Sequence, residues 1–195
     1  KSKIATAEFF TTEPNEHKNK KSMPITFPLF IKPITGGDSR GIDKNSIVHN
    51  YTGYKKKVLS IKKNQHSRCL VEKYLPGKEY SVGIFKDNKT GLIQAMPIEI
   101  LVKKNINGHH ILDFDIKKND EEEVIAVLDL KIFKKLSILA KKSFTALKGK
   151  SFGRIDFKMD HLGNPHFIEA NLMPGIKKGY FYRSCLLNLN INYEE

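Results

Sequence analysis

Two acids, an amide and a guanidinium are the residues of this chain whose types and spacing most directly suggest chemistry. They sit in FGRIDFKMDHLGNPHFIEANLMPG, residues 152–175. The first half alternates, with Ile155, Phe157 and Met159 on one side and Arg154, Asp156 and Lys158 on the other, as a half-buried strand requires. A turn centred on Leu162 and Gly163, with the glycine at a positive-φ position, would fold the second half back. That centre pairs residues whose numbers sum to 325, which sets Asp156 against Glu169 and Arg154 against Asn171. Opposed residues of an antiparallel pair share a face, with Cβ atoms about 5 Å apart. Two like charges so placed repel unless a cation lies with them. Magnesium, which takes hard oxygen ligands and often completes its shell with phosphates, fits that role. A solvated face neutralised by Arg154 and Lys158 is the competing expectation.

A second group lies upstream. FPLFIKP, residues 27–33, reads as a short apolar strand ending in Lys32 and a proline, and TGGDSRGI, residues 35–42, as a glycine-rich loop. Backbone N–H groups of such a loop suit anionic oxygens. Strands are expected at 4–12, 69–75, 79–85, 92–102 and 166–172, with a polar loop at 105–108. A basic helix is expected at 54–63, with Val58 and Ile61 on one side. Phe133, Leu136, Ala140, Phe144 and Leu147 recur at helical steps, and Gly149 stands where a left-handed cap would end that helix. Residues 191–195 read as the first turn of a helix.

Composition narrows the classes. The 195 residues are 39% hydrophobic, and no apolar run approaches a membrane span. The net charge of +13 comes largely from scattered lysines, without an RNP-like aromatic strand, a helix-turn-helix signature or a zinc finger. It favours an anionic small ligand over duplex DNA. Cys69 and Cys185 form no pair pattern, so a reducing, cytoplasmic setting is expected. Residues 1–4 are not followed by a secretory apolar core, and the chain reads as a piece of a longer protein.

Taken in order, FIKP and its glycine loop, VEKYLPGKEYSV, GRIDF and FIEANLMPG resemble the ATP-grasp fold of the D-alanine–D-alanine ligase family, from about residue 4 to the C-terminus. The resemblance implies an α+β fold of two lobes, 1–75 and 76–195, with nucleotide bound between them and the N-terminal substrate domain absent. It implies that Lys32 contacts phosphates and that Gly36, Gly37, Ser39 and Gly41 cover the triphosphate. Glu72 would accept the adenine amino group, the backbone of Lys73 and Leu75 would read the adenine edge, and Glu79 would hold the ribose. ILDFDIK, residues 111–117, resembles the family's active-site loop and makes Lys117 a phosphate ligand. Asp156, Glu169 and Asn171 match the magnesium ligands, and Arg154 the arginine that stabilises acyl-phosphate chemistry.

The implied cofactors are ATP and Mg2+, and the implied reaction joins a carboxylate to an amine of small amino-acid or peptide substrates; a homodimer is compatible. After Met173-Pro174-Gly175 the pattern departs, because Tyr180 falls where the family has a substrate-binding serine. Gly175 and Tyr180 are therefore the expected substrate residues. A ligase for another amino acid or short peptide, using Lys177, Lys178 or Tyr180, is the alternative. A polyanion-binding module is a remoter one.

Overall fold

The computed structural model describes residues 3–37, 39–103, 112–177 and 179–192. In chain order the elements are β1 (Phe9–Thr12), β2 (Leu29–Pro33), β3 (Ile47–Val48), α1 (Tyr51–Gln65), β4 (Cys69–Lys73), β5 (Glu79–Lys86) and β6 (Ile93–Leu101). They continue as α2 (Phe114–Asn119), β7 (Glu123–Ala126), α3 (Leu130–Ala146), β8 (Phe152–Met159), β9 (Pro165–Asn171) and α4 (Tyr180–Leu189). Contacts divide the chain into one compact unit of Ala7–Leu75 with Val102–Glu122, and a second of Lys1–Thr6, Pro76–Leu101 and Glu123–Glu195. The cut between 75 and 76 expected from the sequence thus lacks two exchanges, residues 1–6 and 102–122. Both have local causes. The N–H of Phe167 donates to Ala5 O at 2.8 Å, holding the start of the chain on β9, and Ser39 Oγ donates to Leu112 O at 3.2 Å.

The first unit is built on an antiparallel sheet of order β1-β4-β2-β3. Alternation in LFIKP and CLVEK turns Leu29, Ile31, Cys69 and Val71 to one face, where Tyr54, Val58 and Ile61 of α1 cover them. Each such aliphatic side chain, fully buried, stabilises by roughly 1.5–3 kcal/mol before entropy is counted. Asn50 caps α1 by accepting from Gly53 N at 2.9 Å, and His66 ends it in the left-handed region at φ 50°. Lys57 lies on the buried side, which the basic sequence of the helix does not suggest. Its ammonium is satisfied by Gly41 O and Asp43 Oδ1, each at 2.9 Å, as a buried charge must be. The pairing of Ile31 with Val71 leaves Phe30, Lys32, Leu70 and Glu72 together on the opposite face.

The second unit holds an antiparallel sheet of order β7-β6-β5-β8-β9 with a helix on each face. Tyr80, Val82, Ile84, Ile155 and Phe157 meet Leu136, Ala140 and Phe144 of α3. Asp129 caps that helix through the N–H groups of Lys131 and Ile132. On the other face α4 lies close enough to β5 that a Cβ at Gly83 would stand 2.8 Å from Ser184 Cβ.

The β8–β9 hairpin differs from the sequence expectation in an instructive way. The turn is centred on Leu162, with Asp160 N donating to Asn164 O and Gly163 at φ +77°. Near the turn Phe157 therefore pairs with Phe167 and Lys158 with His166, one residue off the expected register. A bulge between Asp156 and Phe157 then absorbs Ile168, and beyond it Asp156 faces Glu169 and Arg154 faces Asn171. The expected pairs are present, but the bulge and not the turn supplies the register.

Other expectations are corrected. Lys148, at φ 58°, takes the left-handed position after α3, not Gly149. Gly149 is required for space, since a Cβ there would lie 2.2 Å from Phe144 Cε2. Helix α4 was not foreseen, and it ends at Asn190 in the left-handed region, so residues 191 and 192 do not begin a helix. Residues 114–117, expected in a loop, open the short helix α2. The polar loop at 105–108, Ile111, Lys178 and residues 193–195 lie outside the described residues. No helix among the described residues is long and apolar enough to cross a membrane.

Candidate functional site

Rows across the β5–β8 ladder place the acids of the second unit. Glu79 pairs with Lys158, Ser81 with Asp156 and Gly83 with Arg154, all on the face opposite α3. Asp156 is only 8% exposed, so its charge needs partners. Ser81 Oγ donates to Asp156 Oδ1 at 2.6 Å, and Arg154 donates through Nε at 3.0 Å to Oδ1 and through NH2 at 2.8 Å to Oδ2. The same Arg154 NH2 reaches Glu169 Oε1 at 3.3 Å. Burial alone would lower the pKa of Arg154, but the charge and hydrogen bonds of Asp156, with Glu169, outweigh it and raise the net value. A cation thus already sits with the opposed carboxylates.

Whether this set suits a divalent metal turns on its donors. Among the described residues no group of three or more His, Cys, Asp or Glu side chains is placed to hold one. Asp156, Glu169 and the amide of Asn171 form a smaller set of hard oxygen donors, the number magnesium takes when phosphates complete its shell. Asn171 Oδ1 accepts from Met173 N at 3.0 Å, which leaves its second lone pair. The donor set is of the kind magnesium takes, while the Arg154 guanidinium between the acids already supplies the charge balance of an ion-paired face.

In the first unit Lys32 and Glu72 come together on the sheet face opposite α1, Nζ to Oε2 at 2.7 Å. They are diagonal neighbours, since Lys32 opposes Leu70 and Glu72 opposes Phe30. Lys73 is committed twice. Its N–H donates to Glu8 O, and its ammonium to Thr26 O at 3.0 Å. What Lys73 can offer a ligand is its carbonyl. The N–H of Tyr74 donates to Pro28 O, whereas that of Leu75 makes no backbone hydrogen bond among the described residues. The glycine loop turns through Arg40 N to Gly37 O and Ile42 N to Ser39 O, with Ser39 itself at φ 58°. Around Gly36 and Gly37 a Cβ would meet nothing within 4 Å, so this stretch is open. Gly41 is pinned instead, its φ of +78° and its fit against Pro33 excluding a side chain.

Lys117 lies in α2 of the first unit, apart in sequence and element from Lys32. Gly175 is in open loop, and Tyr180 is buried as the first residue of α4, its ring centroid 5.5 Å from Arg154 Cζ. Sequence reasoning missed three residues here: Ser81, Lys158 as the partner of Glu79 (Nζ to Oε2, 2.8 Å), and Lys57 as the anchor of Gly41. The alternation of Glu79, Ser81 and Gly83 against Tyr80, Val82 and Ile84 was the available signal for Ser81.

Comparison with known proteins bears on this arrangement. Residues 2–195 match the family model described as D-ala D-ala ligase C-terminus. A D-alanine–D-alanine ligase of Aquifex aeolicus is 32% identical over 152 residues, covering 77% of this chain and 47% of that protein. One of Hydrogenovibrio crunogenus is 23% identical over 176 residues, covering 89% and 52%. The chain spans about half the length of the curated relatives it matches. Among solved structures, the Bacillus anthracis D-alanine–D-alanine ligase complexed with ATP superposes with TM-score 0.71 at 19% identity, over 97% of this chain and 57% of that one. The VanG D-Ala:D-Ser ligase of Enterococcus faecalis gives 0.74 at 18%, over 98% and 55%.

Proposed function

Because this chain belongs to the D-alanine–D-alanine ligase C-terminal family, we propose that it is the ATP- and magnesium-binding part of a ligase that joins a carboxylate to an amine through an acyl phosphate. The observation that carries the reading is the pair of opposed acids, Asp156 and Glu169, bridged by Arg154. In the first unit, Lys32 and Lys117 are assigned to phosphate oxygens, and Gly37 and Ser39 to the loop that covers them. Glu72 accepts the adenine amino group, the Lys73 carbonyl and the Leu75 N–H read the adenine edge, and in the second unit Glu79 accepts from the ribose.

The chemistry needs a carboxylate oxygen to bond to the γ-phosphorus of ATP while the bond to the ADP oxygen breaks. The amine then bonds to the acyl carbon, and phosphate departs with the proton balance closed by loss of one amine proton. Asp156, Glu169 and Asn171 would hold magnesium, which when bound would neutralise the phosphate oxygens. Arg154, which pairs with both acids, would stabilise negative charge on the reacting carbonyl oxygen once a metal ion shares those carboxylates.

A second reading concerns the amine. Tyr180 packs on Arg154 where the family pattern has a small hydroxyl, which favours an amino acid or short peptide other than D-alanine as the acceptor. Calorimetry of ATP with the chain, in magnesium and in excess chelator, tests the first reading. Phosphate release with a panel of D- and L-amino acids tests both. Magnesium-dependent ATP binding is expected; no binding at millimolar ATP would overturn the proposal.

A further inference from the structure

The polar strip of the second unit carries two cations, and they do not do the same work. Arg154 pairs with Asp156 and Glu169. Lys158 is two residues further along the same face, and it turns away from those acids to Glu79, its direct neighbour across the ladder. The Nζ–Oε2 distance is 2.8 Å, and the side chains are only 14% and 18% exposed. The residue on its other flank, His166, pairs with Asp160 at 3.2 Å and does not compete for Glu79. Among the described residues no other hydrogen bond reaches the Glu79 carboxylate, so Oε1 is available.

We propose that Lys158 is a positioning residue of the nucleotide site: it holds Glu79 by one carboxylate oxygen so that the other meets the ribose hydroxyls of ATP. This rests on the assignment of Glu79 to the ribose made above. A free glutamate at the start of a strand would lose several side-chain rotations on engaging a hydroxyl, a cost paid again at each binding event. An ammonium on a ladder-fixed strand removes much of it in advance. The row Glu79–Lys158 lies next to the row Ser81–Asp156, about 7 Å along the strands, so the pair also keeps the ribose acceptor in register with the acids. The ordinary alternative is a surface ion pair with no part in binding.

The test compares ATP with 3′-deoxy-ATP by calorimetry on the 195-residue chain and its variants Lys158→Met, Lys158→Gln, Glu79→Gln and the double variant. Lys158→Met is expected to weaken ATP about tenfold, the worth of one charge-assisted hydrogen bond, and 3′-deoxy-ATP far less. Lys158→Gln, which retains a donor, is expected to fall between and serves if the methionine variant folds poorly. The double variant should be no worse than Glu79→Gln. Equal weakening of both nucleotides by Lys158→Met, or none, would overturn the proposal where Glu79→Gln weakens ATP more than 3′-deoxy-ATP. If Glu79→Gln weakens the two nucleotides equally, the ribose assignment falls, and this inference falls with it.

Discussion

Asp156 and Glu169 face one another across β8 and β9 although the turn between them is one residue out of the register that would oppose them. Ile168 is the residue absorbed by the bulge, and the two acids then share the Arg154 guanidinium, at 2.8 and 3.3 Å. If a divalent cation joins these carboxylates, Asp156→Asn and Glu169→Gln should each weaken ATP binding about tenfold or more in magnesium and change it little in excess chelator. Calorimetry under both conditions measures this. Equal affinities in magnesium would return the hairpin to an ion-paired face.

Ser81 should matter through Asp156 alone. Its hydroxyl donates to Oδ1 at 2.6 Å from a fully buried position, so Ser81→Ala removes one of the two donors to Oδ1 and leaves that lone pair unmet while Arg154 still holds the carboxylate. Loss of such a supporting bond is expected to cost about 10-fold in magnesium affinity, with little change in chelator. A magnesium titration at fixed ATP checks it, and no change would mean that Arg154 suffices to orient the acid.

Gly149→Ala should destabilise the second unit by roughly 1–3 kcal/mol, because the new methyl would overlap the Phe144 ring. Coupling is the sharper readout: adding Phe144→Leu should recover part of the loss. Urea unfolding of the single and double variants measures both. Strict additivity would separate Gly149 from that ring.

Cys69 predicts a pH dependence. Burial pushes its thiol up from 9.0 to about 11. The folded chain therefore keeps the proton where the unfolded chain has lost it. Its contribution is full below pH 9 and is lost as pH rises through about 11, by on the order of 2–3 kcal/mol. Denaturation series between pH 8 and 11 on the native chain and Cys69→Ala should differ in slope. Identical slopes would assign the alkaline loss to other groups.

The sequence alone determined which residues can share a face. Alternation with period 2 is local, so Arg154, Asp156 and Lys158 were legible as one row, and the helix over Leu136, Ala140 and Phe144 as its apolar opposite. The resemblance carried by FIKP, EKYLPGKE, GRIDF and FIEAN extended that to a family, and to a reaction as an expectation. Tertiary structure decided the pairings, because these depend on strands that chain order does not put side by side. β5 comes to lie beside β8, and this gives Asp156 its Ser81, 75 positions away, and turns Lys158 to Glu79 instead of to Asp156. Packing likewise decided that Lys57 is buried and that Gly149 answers to Phe144 and not to its own φ. A charge or a glycine is chosen for its neighbours in space, and a bulge as small as Ile168 changes who those neighbours are without leaving a mark in the alternation that precedes it.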